Sequence, residues 1–399
     1  MKLTRYKLGE ILELQRGYDL PSSQMKKGDI LVAGSNGVIG YHNEARSNHP
    51  CITVGRSGSV GKVHYYEQAT WAHNTALFVK DFKGNDPKYL YYFLKNLHLD
   101  KMFDKGSSVV PSLDRKVVHS LNVPCHKDID CQKRIAAILS KIDRKIELNC
   151  AINQNLEAMA KQLYDYWFVQ FGFPNEEGKP YKSSGGKMVW NEKLKREIPE
   201  GWDISLIKDI ATTYSGGTPK STNIEYYDNG EIAWINSGEL NSPIITKTTN
   251  YITKCGLENS SAKLYPSNSI LVAMYGATAG KVSLLTFEAC SNQAVCGVIP
   301  TIENMLYYVY FHISSLYSHF ITLSTGSARD NISQDTIKNI LLPIPTRNIL
   351  KLFDEKIGSI YQTIVNNYQQ IDSLTKQRDE LLPLLMNGQV SVNSDLSDD

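Results

Sequence analysis

Two kinds of hydrophobic periodicity alternate along this chain. Residues 1–127 and 203–346 carry short apolar runs bounded by Gly, Ser and Asn, such as Ile52-Thr53-Val54 and Ile270-Leu271-Val272, the pattern of short strands and turns. After Pro124 and Pro345 the spacing becomes helical. Following Asp128 and Asp130, plausible N-caps, seam positions recur at Leu139, Ile142, Ile146, Asn149, Leu156 and Leu163. Following Thr346 and Asn348 they recur at Ile357, Ile360, Ile364, Asn367, Ile371, Leu374 and Leu381. Steps of three and four make these heptad seams of roughly 35 residues, or about 50 Å of helix. Helices that long bury too little surface alone, so the pattern predicts that they pack on each other. Asn149 and Asn367 occupy equivalent seam positions, where a polar residue can fix register.

The chain also repeats itself. Lys7-Leu8-Gly9-Glu10-Ile11 leads to Asp19-Leu20-Pro21, as Ser205 to Ile210 leads to Gly217-Thr218-Pro219. Gly61-Lys62-Val63 returns as Gly280-Lys281-Val282, and His73-Asn74-Thr75-Ala76-Leu77 as Ser291-Asn292-Gln293-Ala294-Val295. Tyr91-Tyr92-Phe93 matches Val309-Tyr310-Phe311, Ser112-x-Asp114 matches Ser333-x-Asp335, and the blocks close at Pro124 and Pro345. Common order across so many short matches indicates a tandem duplication. A duplicated unit pairs most simply with its copy about a two-fold axis, which makes the helices antiparallel. The expectation is an α+β dumb-bell. Two pseudo-symmetric mixed α/β domains, 1–127 and 203–346, are separated by helices 128–169 and 347–387 forming a coiled coil. A linker spans 170–202, and 388–399 is a frayed tail.

Charge changes the picture only when resolved along the chain. The total is +2 in 399 residues, but residues 1–127 carry 18 Lys/Arg against 11 Asp/Glu, a surplus of 7. Residues 201–346 carry 8 against 11, a deficit of 3. The first domain therefore has the electrostatics of a polyanion binder. The second does not. Seven cysteines without a Cys-x-x-Cys pair read as buried free thiols. No apolar run of about 18 residues could span a bilayer, and Met1 to Lys7 lacks a signal-peptide core, so a cytoplasmic protein without membrane contact is expected.

A search for chemistry finds binding rather than catalysis. Gly276-Ala277-Thr278-Ala279-Gly280-Lys281-Val282 is one residue short of a phosphate loop and lacks its metal-binding hydroxyl. No dinucleotide fingerprint or zinc spacing is present, and Glu177-x-Lys179 is a common triplet inside the linker. The two Gly-Lys turns suit phosphate contact, since small residues let backbone approach and a lysine meets the charge. Around them lie Arg56, Ser57, Ser59 and Lys62, then Tyr275, Thr278 and Lys281. The loops after Gly106 and Gly326 add Ser107, Arg115 and Lys116, then Arg329, Asn331 and Gln334. Arg, Asn and Gln are side chains that pair with base edges. The plain alternative for each is an ordinary surface turn. The tyrosine runs Tyr89 to Phe93 and Tyr307 to Phe311 are expected to face the core.

Leu163-Tyr164-Asp165-Tyr166-Trp167-Phe168 running into Phe171-Gly172-Phe173-Pro174, then Ile198-Pro199-Glu200-Gly201-Trp202, resembles the specificity subunits of type I restriction–modification systems. Gly216-Gly217-Thr218-Pro219 and Ser291-Asn292-Gln293-Ala294 look like the same family's second-domain markers. The resemblance spans nearly the whole chain. It implies two target recognition domains, each reading half of a bipartite double-stranded DNA site, with the helices setting the gap. It also implies a non-catalytic scaffold without metal or cofactor of its own. Two modification subunits would hold S-adenosylmethionine and methylate adenine at N6, while restriction subunits would use ATP and Mg to cut. The alternatives from the sequence are a DNA-modifying enzyme with an unrecognised site and a coiled-coil adaptor without a DNA role.

Overall fold

The computed structural model describes residues 3–47, 49–103, 112–325 and 332–391. The chain divides into two units. One comprises Met1–Leu148 with Ile371–Asp399, and the other Asn149–Gln370.

In the first unit, strands Glu13–Arg16, Ala76–Asp81, Cys51–Gly55 and Val63–Tyr66 form an antiparallel sheet in that order. Cys51–Gly55 is central and buried along its whole length, as its β-branched Ile52, Thr53 and Val54 favour. A second sheet orders Gly37–His42, Ile30–Gly34 and Trp71–Ala72. Leu3–Lys7 pairs antiparallel with Asn122–His126. Helix Pro87–Asn96 starts with proline after Asp86, whose carboxylate accepts the Tyr89 amide at 2.8 Å. It buries Tyr89, Leu90, Tyr92 and Phe93.

The second unit repeats this plan. Ala211–Ser215, Val295–Pro300, Ser269–Ala273 and Val282–Leu285 form the antiparallel sheet, extended by Ile244–Ile245 running parallel to the last. Tyr251–Ile252, Ile232–Ile235 and Cys290–Ser291 form the small sheet. Asp203–Leu206 pairs with Leu341–Ile344, and helix Leu306–Ser315 buries Tyr308, Val309, Tyr310 and Phe311. The tyrosine runs are core, as expected.

Backbone register corrects several of the repeat pairings, among them Ser112-x-Asp114 with Ser333-x-Asp335, since Asp114 and Ser333 cap equivalent helices. Gly55 N donates to Lys62 O and Ala273 N to Lys281 O, so the second turn is one residue longer. From there through helices Pro87–Asn96 and Leu306–Ser315, equivalent positions lie one residue further apart than before the turn. His73 corresponds to Asn292 rather than Ser291, because Ala76 N binds His73 O as Val295 N binds Asn292 O. Tyr91 corresponds to Tyr310, not Val309, since the two helices begin at Pro87 and Leu306. Arg5 lies opposite Pro124 and Ile204 opposite Pro343, so Pro343, not Pro345, is the counterpart of Pro124.

The long helices are Ile129–Tyr164 and Arg347–Met386. In the first unit, Ile135 and Leu139 share a core with Leu382, Leu385, Leu8, Ile52 and Tyr89. In the second, the helices run antiparallel: Asn149 meets Gln370, Asn153 meets Asn367 and Ile364, and Tyr164 meets Phe353. Among the seam positions Leu139, Asn149, Ile357 and Ile364 are buried. Ile142, Ile146, Leu156, Leu163, Ile360, Asn367, Ile371, Leu374 and Leu381 are half-buried. Asn153, not predicted in the seam, is buried as well.

Residues 170–202, read as a linker, are folded. Met188–Asn191 and Arg196–Pro199 form a hairpin, and Phe171, Phe173 and Trp202 join the core of the second unit. Phe173 stacks on Trp202 with ring centroids 5.3 Å apart. Gly172 is required there, because a Cβ would lie 2.4 Å from the Tyr166 ring. The seven cysteines are free, but Cys150 and Cys255 are exposed rather than buried. The tail expected at 388–399 lies outside the described residues beyond 391. Among the described residues no helix is long and apolar enough to cross a membrane.

Candidate nucleic-acid interface

In the first unit, loops from separate strands converge at one end of the main sheet's strands. Gly17 follows the strand Glu13–Arg16 and packs against the segment after Trp71–Ala72: a Cβ on it would lie 2.1 Å from His73 O. Arg56 N and Ser57 N both donate to Thr75 O, at 2.8 and 3.1 Å. Ser35 N donates to the Thr75 hydroxyl, and Arg56 O accepts from Leu113 N. Residues 17–19, 34–37, 55–62, 73–75 and 112–114 therefore form one cluster.

The turn is built for close backbone approach. Gly58 and Gly61 adopt φ of +80° and +77°, which other residues take only with strain. Lys62 is exposed and its Nζ donates to Asn36 Oδ1 at 2.7 Å. Burial lowers the His64 pKa, helped by the neighbouring charge of Lys62.

The second unit builds the same cluster. A Cβ on Gly216 would lie 2.1 Å from Asn292 O, and Gly217 N donates to Ser291 O. Gly276 and Gly280 have φ of +86° and +79°. Lys281 Nζ donates to Asn241 Oδ1 at 2.5 Å. The lysine–asparagine pair thus recurs at the equivalent turn. That turn joins two antiparallel strands and leads into no helix, unlike a phosphate loop.

The structure places the sequence candidates unevenly. Arg56, Ser57, Ser59 and Lys62 share the first turn, with Ser57 bridged to Ser112. Arg115 and Lys116 are exposed at the start of helix Arg115–Ser120, just beyond Leu113. Tyr275 and Lys281 lie in the second cluster. Thr278 is buried and donates to Ser237 O, while Gln334 bonds Thr213 and Ser215. The polar atoms of both tie loops together inside the unit. Ser107, Arg329 and Asn331 lie outside the described residues.

Sequence reasoning missed Asn36, Asn241 and two side-chain pairs. Asn74 Nδ2 donates to Asp19 Oδ1 at 2.6 Å. The Thr218 hydroxyl donates to Gln293 Oε1. Both short motifs recur in the repeat, so the sequence carries the signal, displaced by one residue.

Known proteins carry the same architecture. The specificity subunit of the type I restriction enzyme MjaIX from Methanocaldococcus jannaschii is 26% identical over 310 residues, covering 76% of this chain and 69% of the relative. That of EcoR124I/EcoR124II from Escherichia coli is 25% identical over 406 residues, covering 94% and 88%. The crystal structure of a type I restriction–modification S subunit from M. genitalium superposes with a TM-score of 0.62 at 15% identity, covering 96% of each chain, which establishes the shared fold. The profile of the type I restriction modification DNA specificity domain matches residues 2–158 and again 199–381, one match to each repeat. Two matches of that extent, on two units of one topology, mean that this chain belongs to the type I restriction modification DNA specificity family.

Proposed function

We propose that this chain is the sequence-reading specificity subunit of a type I restriction–modification complex, with each loop cluster held against one half of a bipartite DNA site. The observation that carries this reading is the recurrence of Lys62–Asn36 and Lys281–Asn241 on matching glycine turns. A lysine beside close-approaching backbone is suited to a phosphate, which is common to every sequence. The surplus of positive charge in residues 1–127 favours the same ligand, and the deficit in residues 201–346 assigns more of the nonspecific affinity to the first unit or to partners.

The long helices, each continuous across the division between units, fix the number of unread base pairs. Catalysis belongs to partners. Two modification subunits bring S-adenosylmethionine and methylate adenine, and restriction subunits bring ATP hydrolysis with Mg. The assembly works in the cytoplasm, where the DNA is.

Mapping N6-methyladenine in cells with and without this gene tests the reading. The expected result is a two-part methylated motif that disappears with the gene. A motif that persists overturns the specificity role, and purified chain that methylates or cuts DNA alone overturns its non-catalytic part.

A further inference from the structure

The two loop clusters carry different side chains at one pair of positions matched in backbone geometry. Tyr18 N donates to Ala72 O at 2.7 Å and Gly217 N to Ser291 O at 2.8 Å, so Asp19 and Thr218 are equivalent. Ala76 N binds His73 O and Val295 N binds Asn292 O, so Asn74 and Gln293 are equivalent. In each unit the first side chain hydrogen-bonds the second: Asp19 with Asn74, Thr218 with Gln293.

In each unit, too, a side chain from the glycine turn holds the carbonyl of the amide-bearing residue. Arg56 Nη1 donates to Asn74 O at 3.2 Å, and the Tyr275 hydroxyl donates to Gln293 O. Asp19, Thr218 and Gln293 are exposed and Asn74 half-exposed. An exposed polar side chain fixed at both its backbone and its tip loses little freedom on binding, which is how a recognition group is preorganised.

Resting on the reading above, we propose that these pairs are base readers, Asp19–Asn74 in the first unit and Thr218–Gln293 in the second. What the units share, the glycines and the lysine–asparagine pair, suits the invariant backbone of DNA. What differs at a matched, fixed position suits the part of DNA that differs.

The chemistry narrows each target. An ionised Asp19 offers acceptors only, so the Asn74 amide nitrogen must face it. Asn74 Oδ1 and the second Asp19 oxygen are then left as outward acceptors. In the major groove only the exocyclic amines of adenine and cytosine donate, so the first unit reads an amino group. Gln293 gives one edge of its amide to Thr218. With the hydroxyl donating to Oε1, that oxygen keeps a second lone pair and Nε2 keeps its protons, so a donor and an acceptor remain, the complement of adenine N6 and N7. Arg56 and Tyr275 are positioning residues.

The test uses the full chain co-expressed with its modification subunit, and reads the methylated motif together with duplex affinity. Asp19→Asn and Asn74→Ala relax one base position in one half of the motif, losing roughly 10- to 100-fold discrimination there, and leave the other half unchanged. Gln293→Ala and Thr218→Val do the same in the opposite half. Lost methylation with unchanged melting temperature and unchanged affinity for random duplexes also supports the assignment. An unaltered motif in all four variants overturns it, as does an equal loss of affinity on every duplex, which would make the pairs backbone contacts. Should the unsubstituted protein direct no two-part motif, the specificity role itself fails instead.

Discussion

Asn367 Nδ2 donates to Asn153 Oδ1 at 2.8 Å in the interior of the helix pair, where Asn153 is 2% exposed and also donates to Ile364 O. Asn149, one turn away, bonds Gln370 at 3.3 Å. A layer of amides replaces leucine packing at this level, flanked by the fully buried Ile357 and Ile364. Asn367 is therefore partnered by Asn153, not by its repeat equivalent Asn149.

Removing Asn153 leaves the half-buried Asn367 amide without this partner. Asn153→Ala is expected to destabilise the protein by about 2 kcal/mol, while the pair Asn153→Leu with Asn367→Leu restores or raises stability and relaxes register. Urea melts of the single and double variants measure the first effect. Cysteine cross-linking across the helices measures the second, with a single cross-linked register in the double variant counting against it.

Arg378 is the equivalent charged anchor in the first unit. Its guanidinium meets Asp143 at 2.9 Å, with the two side chains 18% and 20% exposed, and the Tyr92 hydroxyl donates to the other Asp143 oxygen at 2.7 Å. Arg378→Ala strands a half-buried carboxylate and should cost about 2 kcal/mol, whereas Arg378→Met paired with Asp143→Leu should cost less. A double-mutant cycle by denaturant unfolding decides between coupled and independent losses.

Lys62→Ala and Lys281→Ala should each weaken DNA binding equally on all sequences. Each should also reduce the slope of log K against log salt by about 1. Fluorescence anisotropy of the complex on specific and random duplexes from low to moderate salt reads this directly. Unchanged slopes in both variants remove the glycine turns from the interface.

His312 gives the second unit a pH dependence. Burial, then the charge of Arg196, lowers its imidazole pKa to about 4, and Nδ1 lies 3.2 Å from the Tyr164 hydroxyl. The folded state thus resists a proton that the unfolded chain binds below its ordinary pKa of about 6.5. Stability is lost as pH falls from about 6.5 to about 4, by about 2 kcal/mol at pH 5. Urea melts at pH 7.5 and pH 5 should show this share in the unsubstituted protein and its absence in His312→Gln.

The sequence alone determined the duplication, the long helices and their seams, because periodicity is a local property that each turn or strand reports for itself. It also marked both Gly-Lys turns, since a positive φ demands glycine wherever the chain goes next. Only tertiary structure decided how the copies align. One extra residue in the second turn shifts later equivalences, and ladder hydrogen bonds, not residue identity, reveal the shift. Tertiary structure also decided what the polar side chains do. Gln334 and Thr278 looked free as letters but are spent on neighbouring loops, while Asp19 and Asn74, 55 residues apart in the chain, meet because Gly17 lets two loops touch. Such meetings depend on the closing of a sheet, and no pattern along the chain records them.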